Sequence, residues 1–149
     1  MTRPFLPYRR SRFSTRLPLD RRYTEAHFWI LPEGEGACRV GFTRFATRML
    51  GEIVEFDFER PEGSAVEEGD VVGWAEGFKA VTELYSPLAG RFRGGNEALD
   101  ELVGEIHRAP YDDAWLYRVE GTAPDSALDA EGYARFLDST IDRMMGRAS

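Results

Sequence analysis

Gly73-Trp-Ala-Glu-Gly-Phe-Lys79-Ala-Val-Thr-Glu-Leu-Tyr-Ser-Pro-Leu-Ala-Gly90 decides how the chain is read. Val71, Val72 and Trp74 fit an incoming strand, and Val81, Leu84 and Tyr85 an outgoing one, because strands favour β-branched and aromatic residues. Gly77 falls between them, where a tight turn can use positive φ at no steric cost. Lys79 is then at or beside the tip of a hairpin.

Lys79 is the only lysine in the chain; the other 18 of the 19 basic residues are arginines. A position that only carries charge could be Arg as well. Acylation needs an amine, because a guanidinium stays protonated and is a poor nucleophile. A lone surface lysine in an arginine-biased chain is the plain alternative.

A chain of 149 residues makes one domain, with room for an appendage. No run of about 18 apolar residues is present, so no membrane span is expected. No apolar secretory signal opens the chain, and Cys38 is the single cysteine, which suits a reducing, cytoplasmic compartment and a core-filling role. Residues 1–22 hold seven arginines and one acid, whereas residues 23–149 hold 12 basic residues and 25 acids. An acidic body speaks against nucleic acid as a partner and for solubility or for basic protein surfaces.

Residues 1–20 read as a flexible basic tail on a domain of residues 21–149. The Arg- and Ser-rich, acid-poor composition is also that of an organellar transit peptide, the mitochondrial alternative, although Pro4, Pro7 and Pro18 weaken an amphipathic helix. Folding back onto the acidic body is a third reading. A strand is expected from Arg22 to Ile30, a turn around Gly34, and a second strand over residues 37–42. Thr43 caps a short helix that Gly51 ends, with Phe45, Met49 and Leu50 inward. Alternation predicts a half-buried strand over residues 53–58. A short strand over residues 91–93 is expected to break at Gly94 and Gly95, before a short helix or turn near residues 101–103. Asp129 caps a last helix whose stripe is Tyr133, Phe136, Leu137, Thr140, Ile141 and Met144; Met144 and Met145 are expected to touch the core.

His27 invites a catalytic reading, but only His107 accompanies it in the chain and no cysteine cluster does, so a structural role is expected. No Ser/His/Asp set, Cys/His pair, phosphate loop or zinc spacing is visible, and the carboxylates read as a solvated surface.

Several separated motifs, in order, resemble the glycine cleavage system H protein family. Glu76-Gly77-Phe78-Lys79-Ala80, followed by Ser86-Pro87-Leu88-Ala89-Gly90, resembles its lipoyl-lysine hairpin, with Gly77-Phe78 in place of the usual Ser-Val. Tyr23-Thr24-Glu25-Ala26-His27-Phe28-Trp29 resembles its Tyr-Thr-x-x-His-x-Trp opening. Val40-Gly41-Phe42-Thr43, with Leu50-Gly51-Glu52-Ile53-Val54, resembles a further run. Asn96-Glu97-Ala98-Leu99, the segment from Pro110 to Leu116 and the closing helix complete the pattern; Asp112 and Ala114 stand where the family favours glycine.

The resemblance implies a mainly β, lipoyl/biotinyl-type β-sandwich (barrel-sandwich hybrid) with a short internal helix and a C-terminal helix. It implies lipoate joined covalently to Lys79, with Glu76 taking part in recognition of the hairpin. The protein would be a shuttle and not a catalyst, with no catalytic residue and no metal. Its partners would be glycine decarboxylase, aminomethyltransferase, dihydrolipoamide dehydrogenase and a lipoate ligase or transferase, with no nucleic acid and no membrane. A relay for lipoylating other proteins, and a cofactor-less binding module on the same fold, are the alternatives.

Overall fold

Thr43 ends one strand and starts a helix, and that corner organises the two sheets around it. The structure, a computed structural model, describes residues 4–146. Its strands are β1 (Phe5–Arg10), β2 (Phe13–Pro18), β3 (Arg22–Tyr23), β4 (Phe28–Pro32), β5 (Ala37–Phe42), β6 (Ile53–Phe58), β7 (Ala65–Val66), β8 (Val71–Gly77), β9 (Val81–Tyr85), β10 (Gly90–Gly95) and β11 (Tyr117–Glu120). Its helices are α1 (Arg44–Leu50), α2 (Val103–Arg108) and α3 (Ala130–Met144). One sheet has the order β3-β4-β5-β11-β10-β7 and a second the order β6-β8-β9. Their apolar faces bury Ile30, Val40, Phe42, Val72, Ala75, Leu84, Phe92 and Tyr117 in one core. This is a mainly β, lipoyl-type sandwich closed by a C-terminal helix.

Several sequence expectations are refined. The strand expected from Arg22 to Ile30 is two, β3 and β4, because the chain turns between them and His27 takes a φ of 71°. Simple alternation fails in β6: a bulge between Ile53 and Glu55 exposes Val54. Met49 does not point inward; it is exposed, and Phe45 and Leu50 alone carry that packing with Thr47. β10 runs through Gly94 and Gly95 rather than stopping at Arg93, with an irregular register after Phe92. The short helix or turn expected near residues 101–103 is a turn that leads into α2 at Val103. Met144 and Met145 are exposed at the end of α3 and make no core contact, while Tyr133, Leu137 and Ile141 are buried as the stripe requires.

The flexible-tail reading is corrected for residues 5–18. β1 and β2 pair antiparallel from Phe5↔Pro18 to Arg10↔Phe13. Tyr8, Phe13 and Leu17 join a second buried cluster with Tyr23, Trp29, Phe45, Tyr133, Leu137 and Ile141. The Phe13 and Phe45 rings meet edge to face at 5.4 Å. Polar contacts fix the docking. The Tyr8 hydroxyl donates to Asp138 at 2.8 Å, and Arg10 donates twice to Asp142, at 2.9 and 2.7 Å. The hairpin thus folds onto α3, the third of the readings above, and covers a helix face that two small sheets would leave wet. Residues 1–3 of the expected tail lie outside the described residues.

His27 is structural in its surroundings. Its Nδ1 lies 2.8 Å from the Tyr133 hydroxyl, which also meets the Thr43 hydroxyl at 2.8 Å. Burial pushes the imidazole down to about 4. The unfolded chain therefore binds a proton on His27 before the folded chain does. This contribution to stability is intact above about pH 6.5 and is lost progressively toward pH 4.

Two predictions follow from this packing. Leu17→Ala, at a site with no solvent exposure, should cost about 2–5 kcal/mol, or roughly 5–15 °C in Tm. A melting curve matching the parent would show that the hairpin docks without contributing. From pH 6.5 to 4, denaturant unfolding should lose up to about 1.4 kcal/mol per pH unit through His27, and His27→Asn should flatten that slope.

Candidate functional site

The lysine hairpin is β8 and β9, with pairs Ala75↔Thr82 and Glu76↔Val81. Gly77 N–H donates to the Ala80 carbonyl at 2.9 Å, closing a tight turn with Phe78 and Lys79 at its tip. The turn is also tied from outside. Lys79 N–H donates to the Leu50 carbonyl at 2.9 Å, and Phe78 N–H to the Glu52 carbonyl at 3.0 Å.

That anchor depends on how α1 ends. The Thr43 side chain caps the helix by accepting from Ala46 N–H at 3.3 Å. Gly51 leaves the helix with a φ of 77°, which few other residues adopt without strain. The chain then doubles back and presents the Leu50 and Glu52 carbonyls to the tip. Gly77 serves close approach and not the positive φ expected from sequence. A Cβ built there would run into the Leu50 carbonyl oxygen.

The Lys79 side chain is exposed, and among the described residues its Nζ reaches only the Arg48 carbonyl, at 3.5 Å. The backbone is held and the amine is free to react. Glu76 is also exposed, three residues before Lys79, and makes no hydrogen bond or ion pair to it among the described residues. Its cross-strand neighbour on β6 is Glu55. Asp57 and Glu83 flank Trp74 in the same way, so one face of this sheet carries four exposed carboxylates. The sequence shows them as scattered acids; register alone collects them.

Sequence reasoning also missed an apolar collar. Phe78 is 75% exposed, and Met49, Val54 and Val81 are exposed on the elements around it. An apolar groove of about 140 Å³ opens against α1, lined by Ala26, Phe28, Phe42, Met49 and Leu50. His27 edges this groove, but its Nδ1 is engaged with Tyr133. Among the described residues no cluster of His, Cys, Asp and Glu could hold a metal, and no helix is long and apolar enough to cross a membrane.

A two-sheet sandwich with its lysine on an anchored hairpin tip defines the lipoyl-type carrier class. Comparison with known proteins narrows it. The sequence model of the glycine cleavage H-protein family matches residues 21–139. The glycine cleavage system H protein of Pseudoalteromonas atlantica is 36% identical over 126 residues, covering 82% of this chain and 96% of the relative. That of Corynebacterium jeikeium is 41% identical over 124 residues, covering 80% and 95%. The crystal structure of a glycine cleavage system H protein from Mycobacterium marinum superposes with a TM-score of 0.72 at 34% identity, covering 82% of this chain and 99% of that one. The chain belongs to the glycine cleavage H-protein family, the lipoyl carriers of that system, which are not themselves catalysts.

Gly77→Ala should cost about 1–3 kcal/mol, because backbone and not a flexible side chain meets the new methyl group. Glu76→Ala should stay within about 0.5 kcal/mol. Paired thermal melts check both, and equal losses would contradict the close-approach role of Gly77.

Proposed function

We propose that Lys79 carries lipoate in amide linkage, and that the chain presents this arm in turn to the enzymes of glycine cleavage. The observation that carries the reading is the single ε-amine of the chain, exposed at a tip whose backbone is hydrogen-bonded to Leu50 and Glu52. When bound, the lipoyl group supplies a redox-active disulfide/dithiol pair at the end of a long flexible arm. The residues present fit such a group. Lys79 offers an amine without a carboxylate partner, and the groove beside Leu50 offers an apolar surface for hydrocarbon and sulfur. The protein's own part is to hold the root of the arm still and leave its far end free.

The partners in this reading are glycine decarboxylase, aminomethyltransferase, dihydrolipoamide dehydrogenase and the lipoate ligase or transferase. The ligase or transferase must grip the hairpin without help from other lysines. Glu76, beside Glu55 and close in sequence to the target amine, is the recognition residue of this reading. The Phe78 ring, projecting into solvent, covers apolar surface on whichever enzyme docks. The compartment in this reading is the cytoplasm, where a free thiol at Cys38 stays reduced.

Intact mass of the chain from a lipoylating host should show one added lipoyl group, lost in Lys79→Arg. Modification that persists in Lys79→Arg would overturn the assignment. In a lipoylation time course Glu76→Ala should be slower than the parent, whereas Phe78→Val should keep pace. Glu76→Ala running at the parent rate would leave Lys79 alone as the determinant.

A further inference from the structure

A cleft of about 600 Å³ lies between β2 and the end of α2. Among the described residues its lining gathers Arg16 from the N-terminal hairpin, Arg44 from α1 and Arg108 from α2, with Asp112 beside them. Phe5 and Tyr111 supply apolar wall. The Arg16 guanidinium sits over the Phe5 ring, 4.8 Å from its centroid, and forms no ion pair among the described residues. Arg44 spends its guanidinium on the His107 carbonyl and likewise meets no carboxylate among the described residues. Arg108 pairs with Glu105 on its own helix, but is 76% exposed there, where such a pair holds weakly.

Three guanidinium groups converging on one concavity are unusual in a chain of net charge −7. They repel one another, and low-dielectric walls focus their field into the cleft. An anion placed there relieves both costs. Guanidinium groups from three separate elements match a row of carboxylates better than one compact anion, since each fork can take a carboxylate face on.

The position of the cleft points to who brings those carboxylates. Arg44 opens α1, and α1 ends at Leu50, whose carbonyl holds Lys79. His107 on α2, whose carbonyl accepts from the Arg44 guanidinium, is held below the usual histidine range by burial first, with the positive field of Arg44 adding to this and Glu52 opposing it. The cleft therefore lies at the start of the helix whose other end holds Lys79. One wall of it, β1–β2, precedes residue 21, where the family match begins.

We propose that this cleft docks an acidic segment of an enzyme that works on the Lys79 arm. Arg16, Arg44 and Arg108 hold the partner while the arm reaches into it. The inference rests on the reading of Lys79 as the point of attachment.

The test uses the full, lipoylated chain, with intact mass confirming the arm in every variant. An absent arm in the parent would defeat the Lys79 reading and not this one. The Arg16→Gln/Arg108→Gln double variant is compared with Arg9→Gln, which removes an exposed charge of the same hairpin outside the cleft. With at least one of the three partner enzymes, the double variant should raise the KM for carrier roughly 3- to 30-fold with kcat unchanged. The difference should fade at about 0.5 M salt. Hexaglutamate should compete with the parent carrier, and Arg9→Gln should behave as the parent. An unchanged KM with all three enzymes overturns the proposal, as does an equal effect from Arg9→Gln. Competition by inorganic pyrophosphate but not by hexaglutamate would assign the cleft to a small anion instead, and also overturns it.

Discussion

The Lys79 N–H to Leu50 carbonyl hydrogen bond, 2.9 Å long, is the contact on which the arrangement of the site turns. It joins a hairpin tip of one sheet to a helix end that belongs to the other half of the sandwich. For it to form, α1 must stop at Leu50, which needs the positive-φ, extended-ψ exit that Gly51 supplies. The hairpin must then come within backbone contact of that exit, which needs Gly77 to have no side chain. The Phe78 N–H to Glu52 carbonyl bond locks the same approach one residue away. With its backbone donors satisfied, the tip has little freedom left, and all remaining motion is in the lysine side chain. A rigid root with a mobile end is the division of labour that lowers the ordering cost of presenting one group to several active sites.

Around that point the charge is sorted by side. The exposed face of β6, β8 and β9 carries Glu55, Asp57, Glu76 and Glu83. The cleft at the start of α1 carries Arg44, Arg108 and, from the N-terminal hairpin, Arg16. Like charges opposite one another across a sheet cost stability, and so do guanidinium groups sharing a cleft. The cleft arginines offset part of that cost through local contacts, Arg44 with the His107 carbonyl, Arg108 with Glu105 and Arg16 with the Phe5 ring. The N-terminal hairpin matters here twice. Its apolar side, Tyr8, Phe13 and Leu17, completes the packing on α3, and its Arg16 extends the positive cleft.

The sandwich was readable because its strands are rich in β-branched and aromatic residues, its turns carry glycine and its one lysine sits in a hairpin pattern. The caps of α1 and α3 were equally plain, since Thr43 and Asp129 act through local hydrogen bonds that sequence spacing encodes. What escaped was tertiary in origin. Residues 5–18 hold no acid or long apolar run of their own, and they dock as a hairpin on α3, which supplies Asp138 and Asp142 some 130 residues away. Met49 and Met144 sit at helical spacing with buried neighbours, yet nothing covers them among the described residues; periodicity marks a stripe but not where its cover ends. Gly77 was recognised as a glycine the turn needs, but for the wrong reason, because only the fold brings Leu50 beside it. The acidic face and the positive cleft are invisible in one dimension for the same cause.

The arginine bias gains a physical sense once the site is in view. An acyl transferase chooses its target by geometry and by nucleophilicity, and a chain with many exposed lysines would oblige it to discriminate among amines of similar reactivity. Here arginines provide the ion pairs, stacks and cleft lining among the described residues, as in Arg10 with Asp142 and Arg118 with Glu33 and Trp115. Guanidinium groups suit those planar, forked contacts better than ammonium groups, and they are inert to acylation. Structure and selectivity are thereby served by the same choice: every cation that supports the fold is one that cannot be modified in place of Lys79. If Lys79 is the point of attachment proposed above, the enzyme that loads it has no other lysine side chain to reject.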